Sequence, residues 1–376
     1  MKTFISFLFH LKSMIQEIPA KQLMEFWPFF KSHKLNNLLA QNLTWSKVKG
    51  FVDDLKYPDV IMYLCDQWAC YLAGNYNSNI LNDFLVKIPE KAFIYVPSQE
   101  WESRLKNYWT FFGYFSRIEL SAEHITLEAI RKLIKPLPAE FQLKRIDASL
   151  AKQLLTQNFS EYWVEVINYL GGPERFVTEG IGFCITEDKK ICSLIMGYKA
   201  SFPLTGSVEL DIVTHPDYRG RGFAMIVSAK LIEHLLSNGI KPHWDAANPI
   251  SAKIAQKLGF SKPEPYKCYY WRKSPWTISE LNKSFNTQFE KGLKDVTSLK
   301  LEISSVSANE LIKKRVTIRS QLDKIQGVFE GITLTLNRLL ESNIVEKSDI
   351  PQFNDFKKRI LQQINILNQL RLKINR

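Results

Sequence analysis

The sequence predicts an α+β chain: an N-terminal α+β unit, an α+β core, and an all-α C-terminal helical hairpin. Three observations carry this. Up to Trp276, short aromatic and β-branched runs alternate with amphipathic helical segments. After Trp276 glycine and tryptophan nearly vanish and heptads take over. The balance of 45% apolar and 23% charged residues is that of a folded chain. Because no apolar run approaches the roughly 20 residues that span a bilayer, collagen-like, low-complexity and membrane-embedded architectures are excluded. At about 100–200 residues per domain, the 376 residues predict two or three domains, divided by pattern at 1–120, 121–276 and 277–376.

The N-terminal stretch "MKTFISFLFHLKSMIQEIP" imitates a signal peptide, but His10 and Lys12 interrupt it and no small-residue cleavage site follows. It reads as a first amphipathic helix. "VIMYLCD", "CYLAGNY" and "KAFIYVPS" read as strands, and "QEWESRLKNYWTFF" as a helix. From about 138 the order is strand "EFQLKRID", helix "ASLAKQLLTQNF", and helix "YWVEVINYLGG" closed by Gly171 and Gly172. Next come a β-hairpin around the polar turn Glu187–Lys190, the strand "SVELDIVTHP", and a long helix ending at Gly239. The strand "PHWDAA", the helix "ISAKIAQKLGF" and a last aromatic strand near "YKCYYW" complete the set.

In the C-terminal region Leu311, Ile318, Leu322, Ile325, Phe329, Ile332, Leu336 and Leu339 follow alternating three- and four-residue steps, with Arg315 out of pattern. Phe353, Phe356, Ile360, Gln363, Leu367, Leu370 and Ile374 repeat the stripe. Asp349 or Ser348 is the expected N-cap of that second helix, with Pro351 in its first turn. Two such helices and a short connection predict an antiparallel hairpin, to which "TISELNKSFNTQFEKGL" adds a third helix if it folds. The expected role is partner binding or self-association.

The five cysteines form no CxxC pair, so neither a disulfide framework nor a zinc site is expected; buried free thiols in a reducing, cytoplasmic compartment are. The net charge is +12, of which 17 basic less 11 acidic groups, or +6, sits on 277–376. Nucleic-acid binding has no supporting motif.

The most informative stretch is "VELDIVTHPDYRGRGFAMIVSAKLIEHLL", in which a strand runs into Arg219-Gly220-Arg221-Gly222-Phe223-Ala224 and a helix follows at once. Unpaired N–H groups and the helix dipole favour an anion at such a terminus. Glycine lets the backbone approach closely, and the two arginines add positive charge. The expectation is a pyrophosphate cradle. The alternative is a tight strand-to-helix turn.

This segment resembles motif A of the GNAT superfamily of acetyl-CoA-dependent N-acetyltransferases, whose pattern Arg/Gln-x-x-Gly-x-Gly/Ala is filled by Arg219, Gly222 and Ala224. Asn248, Ala252 and Leu258-Gly259-Phe260 resemble the superfamily's next motif. The likeness runs from about 138 to 275. It is strongest to the branch containing the zwittermicin A resistance acetyltransferase, through Pro242-His243-Trp244-Asp245, Asn248, Ser251 and Ala255–Phe260. Members of that branch carry an extra N-terminal α+β unit, which residues 1–120 fit. The resemblance implies a mixed, mostly antiparallel sheet flanked by helices. It also implies acetyl-CoA as co-substrate, no metal, and transfer of acetyl to a primary amine of a small molecule or a protein. Ile212, Val213 and Thr214 would hold pantetheine, and Asn248 and Ser251 would contact the cofactor. For Asn248 a helix N-cap is an equal explanation.

Acetyl transfer requires a general base for the amine, a donor for the oxyanion, and an outlet for the thiolate. Glu209 is the expected base. Asp211 shares its strand parity and face. The position where many family members carry a tyrosine acid is Ala255 here; Tyr266, Tyr269 and Tyr270 are the nearest substitutes by sequence, each more readily read as a packing aromatic. Trp163, Tyr169 and Phe176 are candidates to line an acceptor cleft. His215 and His243 rank lower, having no metal-ligand spacing. The Ala255 departure keeps a second reading open, a non-catalytic CoA-binding or adaptor protein.

Overall fold

The computed structural model of the chain describes residues 15–156, 167–168, 171–341 and 344–375. Most of the N-terminal segment read as a first helix, most of the helix expected at 162–172, and the residues Trp163 and Tyr169 lie outside the described residues.

Twelve strands form one sheet: β1 (Gln16–Ile18), β2 (Val48–Val52), β3 (Val60–Cys65), β4 (Ala69–Gly74), β5 (Phe93–Tyr95), β6 (Phe111–Ser121), β7 (Phe141–Arg145), β8 (Gly180–Glu187), β9 (Lys190–Tyr198), β10 (Ser207–Thr214), β11 (Lys241–Ala246) and β12 (Ser261–Arg272). Their order across the sheet is β1-β2-β3-β4-β5-β12-β6-β11-β10-β9-β8-β7. Only β4–β5 and β10–β11 are parallel; every other pairing is antiparallel. The sheet is therefore mixed and mostly antiparallel. The described end of the expected first helix, β1, is a strand instead. Its Ile18 is buried, and the backbone ladder with β2 outweighs the helical pattern.

The long strands β6 and β12 pair from Phe111↔Arg272 to Ile118↔Pro265. Strands from the first third of the chain are thereby joined to strands that follow residue 240. Eleven helices are labelled here: α1 (Asn36–Thr44), α2 (Leu81–Leu85), α3 (Glu100–Tyr108), α4 (Leu127–Arg131), α5 (Ala148–Thr156), α6 (Pro173–Glu179), α7 (Phe223–Ser237), α8 (Pro249–Lys257), α9 (Ile278–Ser305), α10 (Ala308–Glu341) and α11 (Ile350–Asn375).

Alternation along β10 and β11 sorts their side chains between two cores. Val208, Leu210, Trp244 and Ala246 pack with α7 through Phe223, Ile226, Val227, Leu231, Ile232 and Leu235. Each such buried side chain contributes about 1.5–3 kcal/mol of apolar burial. On the opposite face Val213 joins Leu194, Met196 and Tyr198 against Ala151 and Leu154 of α5 and Phe176 of α6. Glu209 and Asp211 share that second face.

The C-terminal region contains the expected pair, α10 and α11, and with α9 as the third helix it forms a three-helix bundle. Every apolar residue of the two stripes is buried in its core except Leu311, which packs half-buried against it, and α9 adds Leu281, Phe289, Val296, Leu299 and Ile303. The third helix forms because Thr277 and Glu280 make a reciprocal capping box and α9 supplies its own apolar face. The Asp349 carboxylate accepts the Ile278 N–H at 2.7 Å, so it caps α9 and not the helix it precedes.

Candidate active site

The site begins where two parallel strands part. β10 and β11 pair at Ser207↔Lys241, Val208↔Pro242 and Glu209↔His243, and there the ladder stops. Beyond it, β10 continues to Thr214 on β9 alone, and β11 continues to Ala246 on β6. The strands form a fork with no backbone ladder between its inner edges. Edge groups that no side chain reaches turn to water or a ligand. Ile212, Val213 and Thr214 lie on the β10 arm of this fork. The Thr214 hydroxyl bonds to Ser193 Oγ at 2.7 Å, and its carbonyl accepts Arg219 Nε at 3.2 Å.

At the open end of β10 the chain turns into α7. Gly220 and Gly222 take φ of +79° and +80°, a left-handed conformation that favours glycine. Gly222 is the N-cap, with open space where a Cβ would be. The N–H groups of Phe223 and Ala224 have no acceptor in the preceding helical turn because there is none. The Arg221 guanidinium lies over the rings of Tyr218 and Phe141, at 5.3 and 5.8 Å. On the other arm, Asn248 Oδ1 accepts the Ser251 N–H at 2.9 Å and caps α8, while Ser251 Oγ accepts from Trp244 Nε1 at 3.0 Å. The N-cap explanation of Asn248 is the one its geometry displays.

At the apex sits a charged chain running across four segments. Glu209 accepts from His243 Nδ1 through Oε2, and from the Asp245 N–H through Oε1 at 3.2 Å. His243 Nε2 reaches Glu119 of β6 at 3.1 Å, and Glu119 pairs with Lys34, which also reaches Glu264 at 2.9 Å. Alongside, Asp245 is fully buried between Arg117, whose Nε donates at 2.7 Å, and the Tyr266 hydroxyl.

These contacts shift the protonation equilibria. Burial raises the Glu209 carboxyl above its ordinary value, and the neighbouring His243 only partly opposes it. Burial works against charge on His243, but Glu209 and Glu119 overcome it and carry the imidazole up to about 10. The Glu119 carboxyl falls to about 2, chiefly through its hydrogen bond to His243. Basic and carboxylate side chains alternate along this chain: Lys34, Glu119, His243, Glu209. Asp211 follows two residues beyond the last β10–β11 pair, on the same face. Burial, and after it the Asp211 charge, pushes the Tyr198 phenol up.

With this geometry in place, the comparisons with known proteins decide the family. The GNAT acetyltransferase profile matches residues 28–269, more than half the chain. The chain belongs to the GNAT acetyltransferase family. It is 26% identical over 236 residues to the uncharacterized N-acetyltransferase YdfB of Bacillus subtilis (strain 168), a match covering 58% of this chain and 84% of that one. A GCN5-related N-acetyltransferase-like protein from Streptococcus suis 89/1591 superimposes with a TM-score of 0.55 at 25% identity, over 67% of this chain and 99% of that one. The family match ends before the bundle begins.

In this GNAT chain the fork brings Glu209, Asp211 and the 212–214 backbone together, and sets Arg219–Ala224 at its open end. Ala255 is fully buried in the α7 core. Tyr266 is committed to Asp245, and Tyr269 is buried with its hydroxyl 3.1 Å from Glu102. Tyr270 is half-buried and packs toward Phe115 and the bundle. Phe176 is a core residue against Tyr198. His215 closes a local turn, its Nδ1 accepting the Asp217 N–H at 3.2 Å. His243, ranked low from sequence, is the hub of the apex, and Lys34, Arg117, Glu119 and Asp245 were missed outright. A signal existed: Arg117/Glu119 and His243/Asp245 are charged pairs at two-residue spacing inside otherwise apolar strands. Among the described residues there is no group of three or more His, Cys, Asp or Glu able to hold a metal, and no helix long and apolar enough to cross a membrane. All five cysteines are free and buried.

Proposed function

We propose that the protein transfers the acetyl group of acetyl-CoA to a primary amine by direct attack in a ternary complex. The observation that carries this reading is the fork with Glu209 at its apex. The Arg219–Ala224 turn supplies N–H donors and positive charge for the pyrophosphate, and the edge of β10 that faces the fork, from Leu210 to Thr214, runs alongside the pantetheine. An N–H on that edge donates to the thioester carbonyl and stabilises the oxyanion. Glu209 accepts a proton from the incoming ammonium. Its raised pKa suits that task, because it makes the carboxylate a stronger proton acceptor than an ordinary glutamate. His243, backed by Glu119 and Lys34, holds the Glu209 carboxylate in place, and Asp211 adds negative charge that favours a cationic acceptor.

The leaving sulfur needs no dedicated acid in this scheme: a thiol pKa of about 8.5 lets the thiolate depart near neutral pH and take its proton from solvent. The likeness to the zwittermicin A resistance branch favours an aminated small molecule as acceptor. The experiment is thiol release from acetyl-CoA across a panel of small amines and lysine peptides, with wild type and Glu209→Gln, alongside calorimetric CoA binding. Turnover with at least one amine, lost in Glu209→Gln while CoA still binds, supports the enzyme. CoA binding without turnover for any acceptor would make the fork a scaffold instead.

A further inference from the structure

We propose that the C-terminal bundle braces the β11 arm of the fork from its β6 side, and that Arg338 is the positioning residue through which it holds the turn that follows β11. This rests on the acetyltransferase reading of the fork.

The bundle is not tethered by a loose linker. Trp276 donates its N–H to Ile344 O at 2.7 Å and accepts from Glu346 N at 2.8 Å, so the segment leaving β12 is bridged to the segment entering α11. Arg272, 4% exposed, bonds Glu280 at 2.6 Å and lies 4.2 Å over the Trp276 ring. Phe111 and Tyr270 of the sheet, with Trp276, pack onto the bundle core. These fastenings leave the bundle one orientation on the sheet.

In that orientation α10 reaches the middle of β6. Arg338 Nη2 donates to the carbonyls of Ser116 at 3.0 Å and Ala247 at 3.1 Å, with its guanidinium 5.9 Å from the Phe115 ring centre. The last β6–β11 pair is Ile118↔Ala246. Ser116 and Ala247 lie just past it, so the guanidinium takes over where the backbone ladder ends. Ala247 is followed directly by Asn248, the cap of α8. The turn Arg338 grips is thus the hinge between the β11 arm of the fork and the helix beside it. A guanidinium with several planar donors suits two carbonyls at once. Without it both carbonyls revert to water and the β11 arm loses its outer support.

The test uses the full chain, with Arg338→Ala and Arg338→Lys. Expected for Arg338→Ala is CoA binding weakened fivefold or more by calorimetry, KM for acetyl-CoA raised in parallel, and kcat within twofold. Arg338→Lys, which keeps a donor, recovers at least half the loss. Amide exchange at 247–252 should quicken in Arg338→Ala, a readout independent of turnover and of global stability if the remaining amides are unchanged. Equal CoA affinity and equal exchange in wild type and Arg338→Ala would overturn the inference. A wild type that binds no CoA overturns the acetyltransferase reading itself, which is a different outcome from a wild type that binds but ignores Arg338.

Discussion

Replacing His243 by Asn is the most incisive perturbation of the apex. An Asn amide can still donate toward Glu209, so the change removes the charge and keeps a hydrogen-bonding group. Opposite charges about 4 Å apart interact by about 4 kcal/mol at an effective dielectric of about 20. At 1.36 kcal/mol per pKa unit, that corresponds to roughly 3 units on Glu209. The carboxylate is 18% exposed and Lys34 remains behind Glu119, so solvent and neighbours reduce the expected shift to about 1–2 units. The sign is upward: the imidazolium favours the ionised carboxylate, and its loss favours the protonated form. In the proposed reaction Glu209 must be ionised to take the amine proton, so the acid limb of kcat/KM against pH moves up by that amount. Activity lost at pH 7 returns at higher pH. The assay is thiol release with an amine the wild type accepts, from pH 5.5 to 10. Acid limbs that coincide within 0.3 unit, or a loss of equal size at every pH, would refute the coupling between His243 and Glu209.

The same imidazole makes stability depend on pH. Its folded pKa, about 10, lies above the unfolded value of about 6.5, so its contribution is complete below pH 6.5 and lost as pH rises toward 10. Urea midpoints of wild type and His243→Asn should therefore converge between pH 7 and 10, and a constant gap would contradict the assignment. Gly222→Ala meets no atom within 4 Å but must hold φ near +80°; it should cost about 1–2 kcal/mol and weaken CoA binding, measured by denaturation and calorimetry. In the bundle, fully buried Phe329 packs against Phe289 and the Cβ-less face of Gly292. Phe329→Ala should cost about 3–5 kcal/mol, and a loss below 1 kcal/mol in urea melts would mean the bundle is not packed this way.

Periodic features were legible before the structure. The heptad stripes place Ile318, Leu322, Phe329, Phe353 and Ile360 in the bundle core because a helix surface repeats strictly and burial follows the repeat. The Arg219–Ala224 turn was legible because the positive φ at Gly220 and Gly222 narrows the residue choice to glycine. The apex was not. His243 meets Glu119 and Glu209 across 124 and 34 residues of chain, and only the sheet order β6-β11-β10 brings them together. Strand parity assigned Glu209 and Asp211 to one face, but not which strands stand beside them. Asp349 shows the same limit on a smaller scale: its capping chemistry was visible, while its recipient, Ile278, lies 71 residues away.

Glu209 has two tasks at the apex, and they call for different substitutions. Its Oε1 accepts the Asp245 N–H, the first backbone donor on β11 beyond the ladder, while Oε2 takes His243. The carboxylate therefore pins the point where the strands part, and in the proposed reaction it also accepts a proton. A Gln keeps a carbonyl oxygen for Asp245 and removes the proton acceptor. An Ala leaves a buried N–H and a buried imidazolium without their partner, at about 3–5 kcal/mol for the broken charge pair. Glu209→Gln should then abolish turnover with CoA affinity within threefold of wild type, whereas Glu209→Ala should lose affinity and thermal stability together. If both variants lose turnover with CoA affinity and melting temperature intact, the carboxylate acts only in chemistry, and the fork stays open by backbone geometry alone.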